Sequence, residues 1–335
     1  MSFWSRVKAT VAGWFRREPQ PGRYVEGAAF SWRGWLSLNP SIWPRRRYLL
    51  YVPKGASRFR PMPLVVLLHG CRQTPEEVAR GTRIAALADR LGSYVLIPRQ
   101  KDAANPFRCW NWFDGATAAG RGEAAIVAAM MRKAMRWRRA DAARTAAIGL
   151  SAGAALAAIL GLRHGDRVRA VVSVAGIACG AAASPLTALT VMKRGPETDV
   201  ADIGREARAA AGGAAGRVPL LAIQGRADEV VAARNASALV RQYLARNSVD
   251  VPGGAESTLP DADRARRESP VRGRGYTLRE WARDGAIVAR LVEIDGLGHA
   301  WSGGDASLPF NDAAGPDATA MAGAFLDLVW ARAPA

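Results

Sequence analysis

The chain has 335 residues, of which 49% are hydrophobic, so it is long and apolar enough to fold around a sizeable core. It carries 47 lysines and arginines against 29 aspartates and glutamates, a formal net charge of +18. Such a charge is typical of nucleic-acid-binding proteins, but the arginines are scattered and no recognised nucleic-acid module is present. We therefore expect no nucleic-acid partner. A membrane-spanning helix is not expected either, because no run of 18 apolar residues occurs.

The N-terminal residues differ from the rest, so we separate a segment (1–45) from a single main domain (46–335). Residues 1–17 mix tryptophan and valine with basic side chains. This pattern predicts a short amphipathic helix that packs on the main domain or lies on a membrane surface. Residues 18–43 are rich in proline, glycine and tryptophan without a sustained period, which predicts an irregular strap. The apolar stretch in 1–17 is too short and interrupted for a signal peptide, which favours a cytoplasmic location.

Seven short apolar runs predict buried strands, and they alternate with segments of helical periodicity. The run 64–68 is apolar throughout, as is typical of a central strand buried on both faces. Strands that alternate with helices predict an α/β fold, with a mostly parallel sheet covered by helices on both faces. The predicted strands are 47–52, 64–68, 94–98, 145–148, 170–174, 219–224 and 288–294, and the predicted helices are 75–91, 121–138, 152–162 and 319–333.

Three segments do not fit this alternation. The aromatic stretch 105–114 predicts an irregular loop that covers part of the protein. The intervals 176–216 and 247–285 are longer than loops usually are, and each is either an insertion over a functional site or a disordered excursion. For residues 249–274, which are rich in proline, glycine and charge, we expect disorder.

A Gly-x-Ser-x-Gly sequence at 149–153 lies between a predicted strand and a predicted helix. In this context the match predicts a nucleophile elbow, a sharp turn that lifts the serine hydroxyl above the end of the sheet. The glycines are required because a β-carbon would collide with the neighbouring strand or helix. We therefore predict that Ser151 is a nucleophile. The alternative is a plain Gly/Ser turn in an alanine-rich chain.

A serine hydroxyl needs a base to become nucleophilic, and the chain has three histidines. His299 follows a predicted strand on a glycine-rich loop (295–304), where an imidazole can be held above the sheet, so we predict that it is the base. His164 ends the helix after the elbow and is expected to be solvated there. His69 follows the strand 64–68 and is expected to prop its loop through a hydrogen bond.

The acid that orients the base is expected at Asp228, which lies just past the predicted strand 219–224. Ser151, Asp228 and His299 then occur in the chain order of the α/β-hydrolases. Aspartate is also common in turns after strands, so Glu229 and Asp295 are the alternative acids.

The negative charge that develops on a substrate carbonyl needs N–H donors aimed at it. The N–H of Ala152, the residue after the nucleophile, is one expected donor. The second donor is expected in the turn 69–72, at the N–H of Cys71, where Gly70 allows the backbone to approach closely.

A hydrophobic substrate group also needs apolar walls beside these residues. Trp112, in the aromatic loop, and Trp301, two residues after the base, are predicted to line the substrate site. The alternative is that both tryptophans cap the hydrophobic core.

Five segments of the chain carry a family pattern: 47–53 (RYLLYVP), 67–73 (LLHGCRQ), 109–113 (CWNWF), 149–153 (GLSAG) and 298–304 (GHAWSGG). Together they resemble the polyhydroxybutyrate depolymerase family of esterases, which is close to feruloyl and acetylxylan esterases. The pairing of H-G-C-x-Q with C-W-N-W-F is specific, whereas G-x-S-x-G alone is not. The likeness extends from about residue 46 to about residue 325.

The resemblance implies a serine esterase with the α/β-hydrolase fold and the triad Ser151, Asp228 and His299. Its expected partner is a small-molecule or oligomeric ester substrate of the hydroxyalkanoate type. The chain departs from the family at Gln224, where a histidine is usual, and in lacking the secretion signal of extracellular depolymerases. We therefore expect oligomers or small esters to be better substrates than insoluble polymer.

Two other activities remain as alternatives to this expectation. One is a feruloyl- or acetylxylan-type carboxylesterase. The other is a serine peptidase of the prolyl-oligopeptidase type, which shares the fold and triad order but usually has a large additional domain.

The chain has three cysteines, so at least one is unpaired. The resemblance favours a disulfide between Cys71 and Cys109, whereas a cytosolic chain would keep both as thiols. It also implies an extracellular location, typical of the family, as the alternative to the cytoplasm. The cysteine spacing does not fit a zinc site, and we expect neither a metal nor an organic cofactor.

Overall fold

The computed structural model describes residues 22–30, 45–57, 59–212, 216–254 and 258–331. The predicted amphipathic helix 1–17 lies outside these residues. Within them, no helix is both long and apolar enough to cross a membrane.

Twelve strands and nine helices form in the described residues. The strands are β1 (Arg23–Phe30), β2 (Arg45–Val52), β3 (Met62–Leu68), β4 (Tyr94–Pro98), β5 (Ala140–Leu150), β6 (Val171–Val174), β7 (Leu220–Gly225), β8 (Arg264–Glu268), β9 (Tyr276–Arg283), β10 (Ala286–Ile294), β11 (Trp301–Ser302) and β12 (Asn311–Asp312). The helices are α1 (Pro75–Gly81), α2 (Ile84–Leu91), α3 (Gly115–Ala118), α4 (Gly122–Arg138), α5 (Ala152–Arg163), α6 (Pro185–Arg194), α7 (Ala201–Ala210), α8 (Arg234–Arg246) and α9 (Ala318–Trp330).

Ten of the strands form one sheet in the order β1-β2-β4-β3-β5-β6-β7-β10-β9-β8. The six strands from β4 to β10 pair in parallel, and antiparallel pairs extend the sheet at both ends. Strands β11 and β12 form a separate short parallel pair. Because parallel strands end at the same edge of a sheet, the loops after β5, β7 and β10 lie on one side of the molecule.

Strand β3 shows why both faces of the sheet are covered. Leu64, Val66 and Leu68 pack in one core cluster, with residues of α4, α5 and α8. Val65 and Leu67 pack in the other cluster, with residues of α1, α2 and α9. Alternate side chains of a strand point to opposite faces, so an uninterrupted apolar run is required for a strand between two helical layers. The predicted α/β architecture is confirmed.

The expected strap 18–43 is partly wrong, because residues 23–30 form strand β1 of the main sheet. Strand β1 pairs antiparallel with β2 over its whole length, so the sheet crosses the expected boundary at residues 45 and 46. Its exposed positions alternate only weakly with buried ones, as is common at a sheet edge. The sequence of β1 therefore lacks the regular two-residue alternation of apolar and polar side chains that would predict a strand.

The predicted single helix 75–91 is divided into α1 and α2. Arg83 adopts a left-handed conformation (φ 53°), which interrupts the helical hydrogen-bond ladder. The Thr82 hydroxyl donates a hydrogen bond of 2.7 Å to the carbonyl of Val78, which helps to satisfy the end of α1.

The disorder expected for residues 249–274 is also partly wrong, since Arg264–Glu268 forms the edge strand β8. Two of its arginines have carboxylate partners: Arg267 contacts Asp295 at 2.6 Å, and Arg266 contacts Glu268 at 3.2 Å. In the earlier interval, 176–216, helices α6 and α7 form, and Ser184 caps α6 through the N–H of Thr187.

Candidate active site

Ser151, Asp228 and His299 follow strands β5, β7 and β10, which lie in the parallel part of the sheet. Only β6 separates β5 from β7, and β10 is the next neighbour of β7. The topology therefore places all three side chains at the same edge of the sheet.

Ser151 occupies a strained turn between β5 and α5. Its backbone has φ 56° and ψ −122°, a conformation that non-glycine residues rarely adopt. The Ser151 N–H donates to the carbonyl of Val174 at 2.9 Å, which fixes the turn to the end of β6. The residue is only 7% exposed. These features are those of a nucleophile elbow.

Two glycines allow this turn to form. A β-carbon on Gly149 would lie 2.3 Å from the carbonyl carbon of Gly153. One on Gly153 would lie 2.3 Å from the carbonyl oxygen of Leu68. Both distances are impossible contacts with backbone atoms, so the start of α5 can approach β3 and β5 only where side chains are missing.

The imidazole of His299 is bound to the carboxylate of Asp228, with 2.8 Å between Nδ1 and Oδ2. The other carboxylate oxygen, Oδ1, accepts the N–H groups of Val230 and Val231 at 2.8 Å each. Burial alone would raise the pKa of Asp228, but these hydrogen bonds, with His299 as the strongest, lower it below its ordinary value. Asp228 is therefore ionised at neutral pH and can hold Nδ1 of His299 as the protonated nitrogen.

The two alternative acids lie elsewhere. The side chain of Glu229 is exposed. Asp295 contacts Arg267 at 2.6 Å and Arg226 at 3.6 Å. Geometry thus favours Asp228 as the partner of the base.

The loops that carry the acid and the base are joined through their backbones. The N–H of Ala227 donates to the carbonyl of Leu297 at 3.0 Å, and that of Arg226 donates to Ile294 at 2.9 Å. A β-carbon on Gly225 would lie 2.3 Å from the Leu297 carbonyl oxygen, so only glycine fits there. The Asp228–His299 pair is consequently positioned by backbone contacts as well as by its own hydrogen bond.

Gln224, the departure from the family pattern, is buried beneath this pair. Its Nε2 donates to the carbonyl of Val231 at 2.9 Å and lies 3.4 Å from Oδ2 of Asp228. The side-chain amide of Gln224 therefore helps to hold the turn that contains Asp228 in place.

The turn 69–72 is fixed from several sides. The N–H groups of Gly70 and Arg72 donate to Gln73 Oε1 at 2.9 Å and to the Phe107 carbonyl at 2.7 Å. Among the described residues, the N–H of Cys71 has no acceptor. The N–H of Ala152, at the first position of α5, has no intrahelical acceptor. These are the two groups predicted to stabilise an oxyanion.

A disulfide between Cys71 and Cys109 ties this turn to the aromatic loop. The structure thus contains the pairing that the resemblance implies. The third cysteine, Cys179, is a buried free thiol, and burial raises its pKa to about 11. It is therefore not reactive at neutral pH.

His69 is fully buried beside the turn, and within the described residues its hydrogen bonds go to groups other than Ser151, Asp228 and His299. Its Nδ1 lies 2.8 Å from the Gly70 carbonyl, and the N–H of Gln100 lies 3.3 Å from its Nε2. Burial lowers the pKa of His69 to about 4, so its ring is neutral, with the proton on Nδ1. This arrangement is the loop-propping role expected for His69.

Glu123 is a supporting residue that sequence reasoning missed. Its buried carboxylate accepts the backbone N–H of Asn111 at 2.7 Å and also binds the side chain of Gln100. Gln100 in turn donates to the carbonyl of Cys109 at 3.0 Å. Burial raises the pKa of Glu123 despite these hydrogen bonds. In the sequence it resembles an ordinary acid in the first turn of a helix.

The two predicted substrate-lining tryptophans are both nearly buried. Trp301 is 1% exposed, and its Nε1 donates to the Thr319 hydroxyl at 3.0 Å, within the core on the α9 side. This placement supports the alternative that Trp301 caps the core, and a substrate-lining role for it stays a prediction. Trp112 is 4% exposed and packs edge-to-face against the partly exposed Phe113. A substrate-lining role for Trp112 stays a prediction.

Phe310 is a further site residue that the sequence did not indicate. Its ring stands edge-on to the imidazole of His299, with the ring centroids 6.4 Å apart and an interplanar angle of 82°. The residue has φ 62°, a strained value for a bulky side chain. Its carbonyl accepts the N–H of Trp301 at 2.8 Å, which fixes it beside the base.

The described residues include no group of three or more His, Cys, Asp or Glu side chains that could hold a metal ion. The Asp228–His299 pair and Ser151 are suited to nucleophilic chemistry.

Comparison with known proteins gives two curated relatives. The chain is 30% identical over 211 residues to poly(3-hydroxyalkanoate) depolymerase C of Paucimonas lemoignei, covering 62% of this chain and 50% of that protein. It is 28% identical over 232 residues to feruloyl esterase B of Neurospora crassa, covering 65% of this chain and 78% of that protein. The chain thus spans about half the length of the depolymerase that it matches.

Solved structures share the fold at low sequence identity. An acetyl xylan esterase from Aspergillus awamori matches with a TM-score of 0.63 and 18% identity, covering 82% of this chain and 94% of that one. An S-formylglutathione hydrolase from Agrobacterium tumefaciens matches with a TM-score of 0.51 and 17% identity, covering 93% and 96%. The fold is that of the α/β-hydrolases.

The family described as esterase PHB depolymerase matches residues 46–265, about two thirds of the chain. The chain belongs to this family.

Proposed function

We propose that this protein is a serine esterase that hydrolyses short-chain ester bonds, of the hydroxyalkanoate type, through an acyl-enzyme. The observation that carries the proposal is the 2.8 Å hydrogen bond between His299 and Asp228, at the same sheet edge as the strained Ser151 turn. Membership of an esterase family supports the reaction type.

In the mechanism that follows, Nε2 of His299 takes the proton of the Ser151 hydroxyl as its oxygen attacks the ester carbonyl. Asp228, ionised and fixed by two backbone N–H groups, stabilises the imidazolium that forms. The N–H groups of Ala152 and Cys71 stabilise the oxyanion. His299 then gives the proton to the leaving alcohol. In the second half of the reaction His299 takes a proton from water, the water oxygen attacks the acyl-enzyme, and the carboxylic acid product leaves as Ser151 regains its proton.

The substrate class is supported by the relatives. One is named a poly(3-hydroxyalkanoate) depolymerase, which favours hydroxyalkanoate oligomers or polymer as substrates. The other is named a feruloyl esterase, which supports the alternative of a feruloyl- or acetylxylan-type carboxylesterase. All of these esters require the same triad and oxyanion donors, so the choice between them depends on the walls of the substrate site.

For the location, the Cys71–Cys109 disulfide supports an oxidising compartment, because disulfides are rare in the cytosol. The structure thus gives weight to the extracellular alternative, against the cytoplasm favoured by the N-terminal sequence.

The proposed activity is tested by comparing kcat/KM across five substrates: p-nitrophenyl butyrate, a hydroxybutyrate trimer, methyl ferulate, an acetylated xylo-oligosaccharide and an aminoacyl p-nitroanilide. We expect turnover of the butyrate and the trimer. In Ser151→Ala, kcat/KM should fall by about 10³-fold or more, because only oxyanion stabilisation and substrate binding then remain to accelerate the reaction. Preference for ferulate or acetyl esters would select the alternative esterase. Preference for the anilide would contradict the proposal in favour of a peptidase.

Asp228→Asn tests the choice of acid. The amide cannot hold His299 in the required tautomer, so kcat should fall by about 10⁴-fold, with the melting temperature nearly kept. Glu229→Gln is the matched control because it removes a neighbouring exposed carboxylate, and it should retain normal kcat. Near-normal kcat in Asp228→Asn with a loss in Glu229→Gln or Asp295→Asn would show that the acid is misassigned.

Phe310 is expected to set the preference for the alcohol part of the ester. His299 must deliver a proton to the leaving alcohol oxygen, so the alcohol group passes beside the imidazole, where Phe310 stands. Phe310→Ala should therefore lower kcat/KM for benzyl butyrate relative to methyl butyrate by roughly 10-fold. For acetyl, butyryl and hexanoyl esters of a single alcohol, Phe310→Ala should change kcat/KM by the same factor.

Phe59→Ala is the control for this prediction, because Phe59 is an 82% exposed aromatic residue outside the site. It should leave both substrate series unchanged. If Phe310→Ala altered acyl preference and left alcohol preference intact, the assignment of Phe310 to the alcohol side would be wrong.

A further inference from the structure

The edge of the main sheet opposite the candidate active site is formed by the first residues of its parallel strands. Strands β3 and β5 begin side by side, with Met62 paired with Ala140, and β4 begins next to β3. The antiparallel strands β1 and β2 bring Arg23, paired with Val52, to the same edge. We call the surface at this end of β1–β5 the amino edge. Its exposed aromatic and basic residues are Arg23, Tyr24, Lys54, Phe59, Arg60, Arg136, Trp137 and Arg139.

Two large aromatic side chains of the amino edge extend into solvent. Phe59 is 82% exposed, and Trp137 is 73% exposed. Each lies three residues before the first residue of its strand, and these two strands, β3 and β5, are paired at their starts. Arg144 of β5 donates to the carbonyl of Pro61 at 3.5 Å, which holds the loop that carries Phe59 near β5. Two exposed aromatic side chains on one end of a sheet indicate a surface that contacts a partner.

The amino edge is also positively charged, because its arginines lack acidic partners. Arg60, Arg136 and Arg139 are exposed, and within the described residues none of them forms an ion pair with a carboxylate. By contrast, Arg274 on another surface contacts Asp312 at 2.7 Å. The amino edge therefore carries a field that attracts anions.

Two carboxylates lie near this edge but do not neutralise it. Asp141 contacts Arg144 at 2.7 Å. Asp89 accepts the hydroxyl of Tyr51 at 2.9 Å and the N–H of Lys54 at 2.7 Å. These two negative charges stand against Arg144 and the five exposed basic residues of the amino edge, so the surface stays cationic.

The N-terminal sequence joins the fold on this side of the molecule. Strand β1 begins with Arg23 at the amino edge. The sequence 1–17 contains Trp4, Trp14 and Phe15 together with four basic residues and no acidic residue. Aromatic and basic side chains in this combination are typical of segments that contact a lipid surface. The chain thus leads from such a sequence directly to an edge of the fold with the same character.

We propose that the amino edge binds the surface of an anionic lipid bilayer. Aromatic rings are favoured at the boundary between lipid headgroups and acyl chains, which Trp137 and Phe59 can reach. The arginines are attracted by the negative surface potential of the bilayer and bind its phosphate groups. Because Ser151, Asp228 and His299 lie at the opposite edge of the sheet, the bound protein turns its candidate active site toward the solution.

The test is flotation of the full chain with vesicles of phosphatidylcholine alone and of phosphatidylcholine with about 30% phosphatidylglycerol. We expect binding to the anionic vesicles and little binding to the neutral ones. Raising the NaCl concentration from about 0.1 M to about 0.5 M should weaken this binding, because salt screens exposed charges. Equal binding to both kinds of vesicle, or binding to neither, would overturn the proposal. No ester substrate is present, so the result is independent of the proposed esterase activity.

A pair of triple variants separates the amino edge from the general positive charge of the protein. Arg60→Gln, Arg136→Gln and Arg139→Gln together should weaken binding to the anionic vesicles by about 10-fold or more. The matched control removes three exposed arginines of α6, α7 and the β8–β9 loop, namely Arg194→Gln, Arg208→Gln and Arg272→Gln. It lowers the net charge equally and should weaken binding much less. Equal weakening in both triple variants would contradict a role of the amino edge.

The aromatic residues distinguish a bilayer from another polyanion. Phe59→Ala with Trp137→Ala should weaken vesicle binding by about 10-fold, because less apolar surface then enters the bilayer. Leu186→Ala with Leu189→Ala is the control, since these side chains of α6 are 76% and 63% exposed, and it should bind normally. Melting temperatures should be unchanged in all variants, as every altered side chain is exposed.

A single-stranded oligothymidine, titrated in parallel, tests nucleic acid as the partner. We expect it to bind more weakly than the anionic vesicles. If the aromatic double variant bound vesicles normally, and the amino-edge arginine variant lost the oligothymidine as well as the vesicles, the edge would be a nucleic-acid surface and the lipid proposal would be wrong.

Discussion

The close approach of helix α5 to the ends of β3 and β5 is the constraint on which the site depends. The β-carbon positions of Gly149 and Gly153 are occupied by backbone atoms 2.3 Å away, so no side chain fits at either position. This contact forces Ser151 into its strained conformation at the start of α5. It also brings the N–H groups at the start of the helix next to the turn after β3, where the second oxyanion donor is expected. One packing requirement thereby positions both the proposed nucleophile and the N–H groups proposed to stabilise an oxyanion.

The remaining groups are held by contacts between loops rather than by regular structure. The loop that carries Asp228 is bonded to the loop that carries His299 through Ala227 and Leu297, and Asp228 is fixed by backbone N–H groups. On the other side, the Cys71–Cys109 disulfide and the buried Glu123 hold the oxyanion turn against the aromatic loop. Such support restricts these groups to a single arrangement, which the proposed catalysis would require.

Much of this arrangement could be predicted from the sequence, because its causes are local. Uninterrupted apolar runs such as β3 indicate strands between two helical layers, and Gly-x-Ser-x-Gly between a strand and a helix indicates the elbow. The prediction that His299 is the base rested on two features: the chain has only three histidines, and this one follows a strand. The turn at Arg83 could not be predicted, since a left-handed arginine has no sequence signal. Strand β8 was missed because it is held by pairing with β9 and by the ion pair between Arg267 and the distant Asp295.

Contacts that only the tertiary fold creates were missed for the same reason. Phe310, eleven residues after His299, lies beside it because the next residue, Asn311, pairs with Trp301 in the short β11–β12 sheet. Trp301 lies close to the base in sequence, yet its indole turns into the core toward Thr319. Sequence proximity to a catalytic residue therefore does not decide on which side of the chain a side chain lies.

The central claim, that Ser151 forms a covalent acyl intermediate, is tested most directly by rapid acid quenching after mixing with p-nitrophenyl butyrate. Mass spectrometry of the digested protein should find one butyryl group on the peptide that contains Ser151. Its appearance should coincide with the burst of p-nitrophenol, and Ser151→Ala should show neither. A butyryl group on another residue, or full turnover without any acylated peptide, would contradict the account.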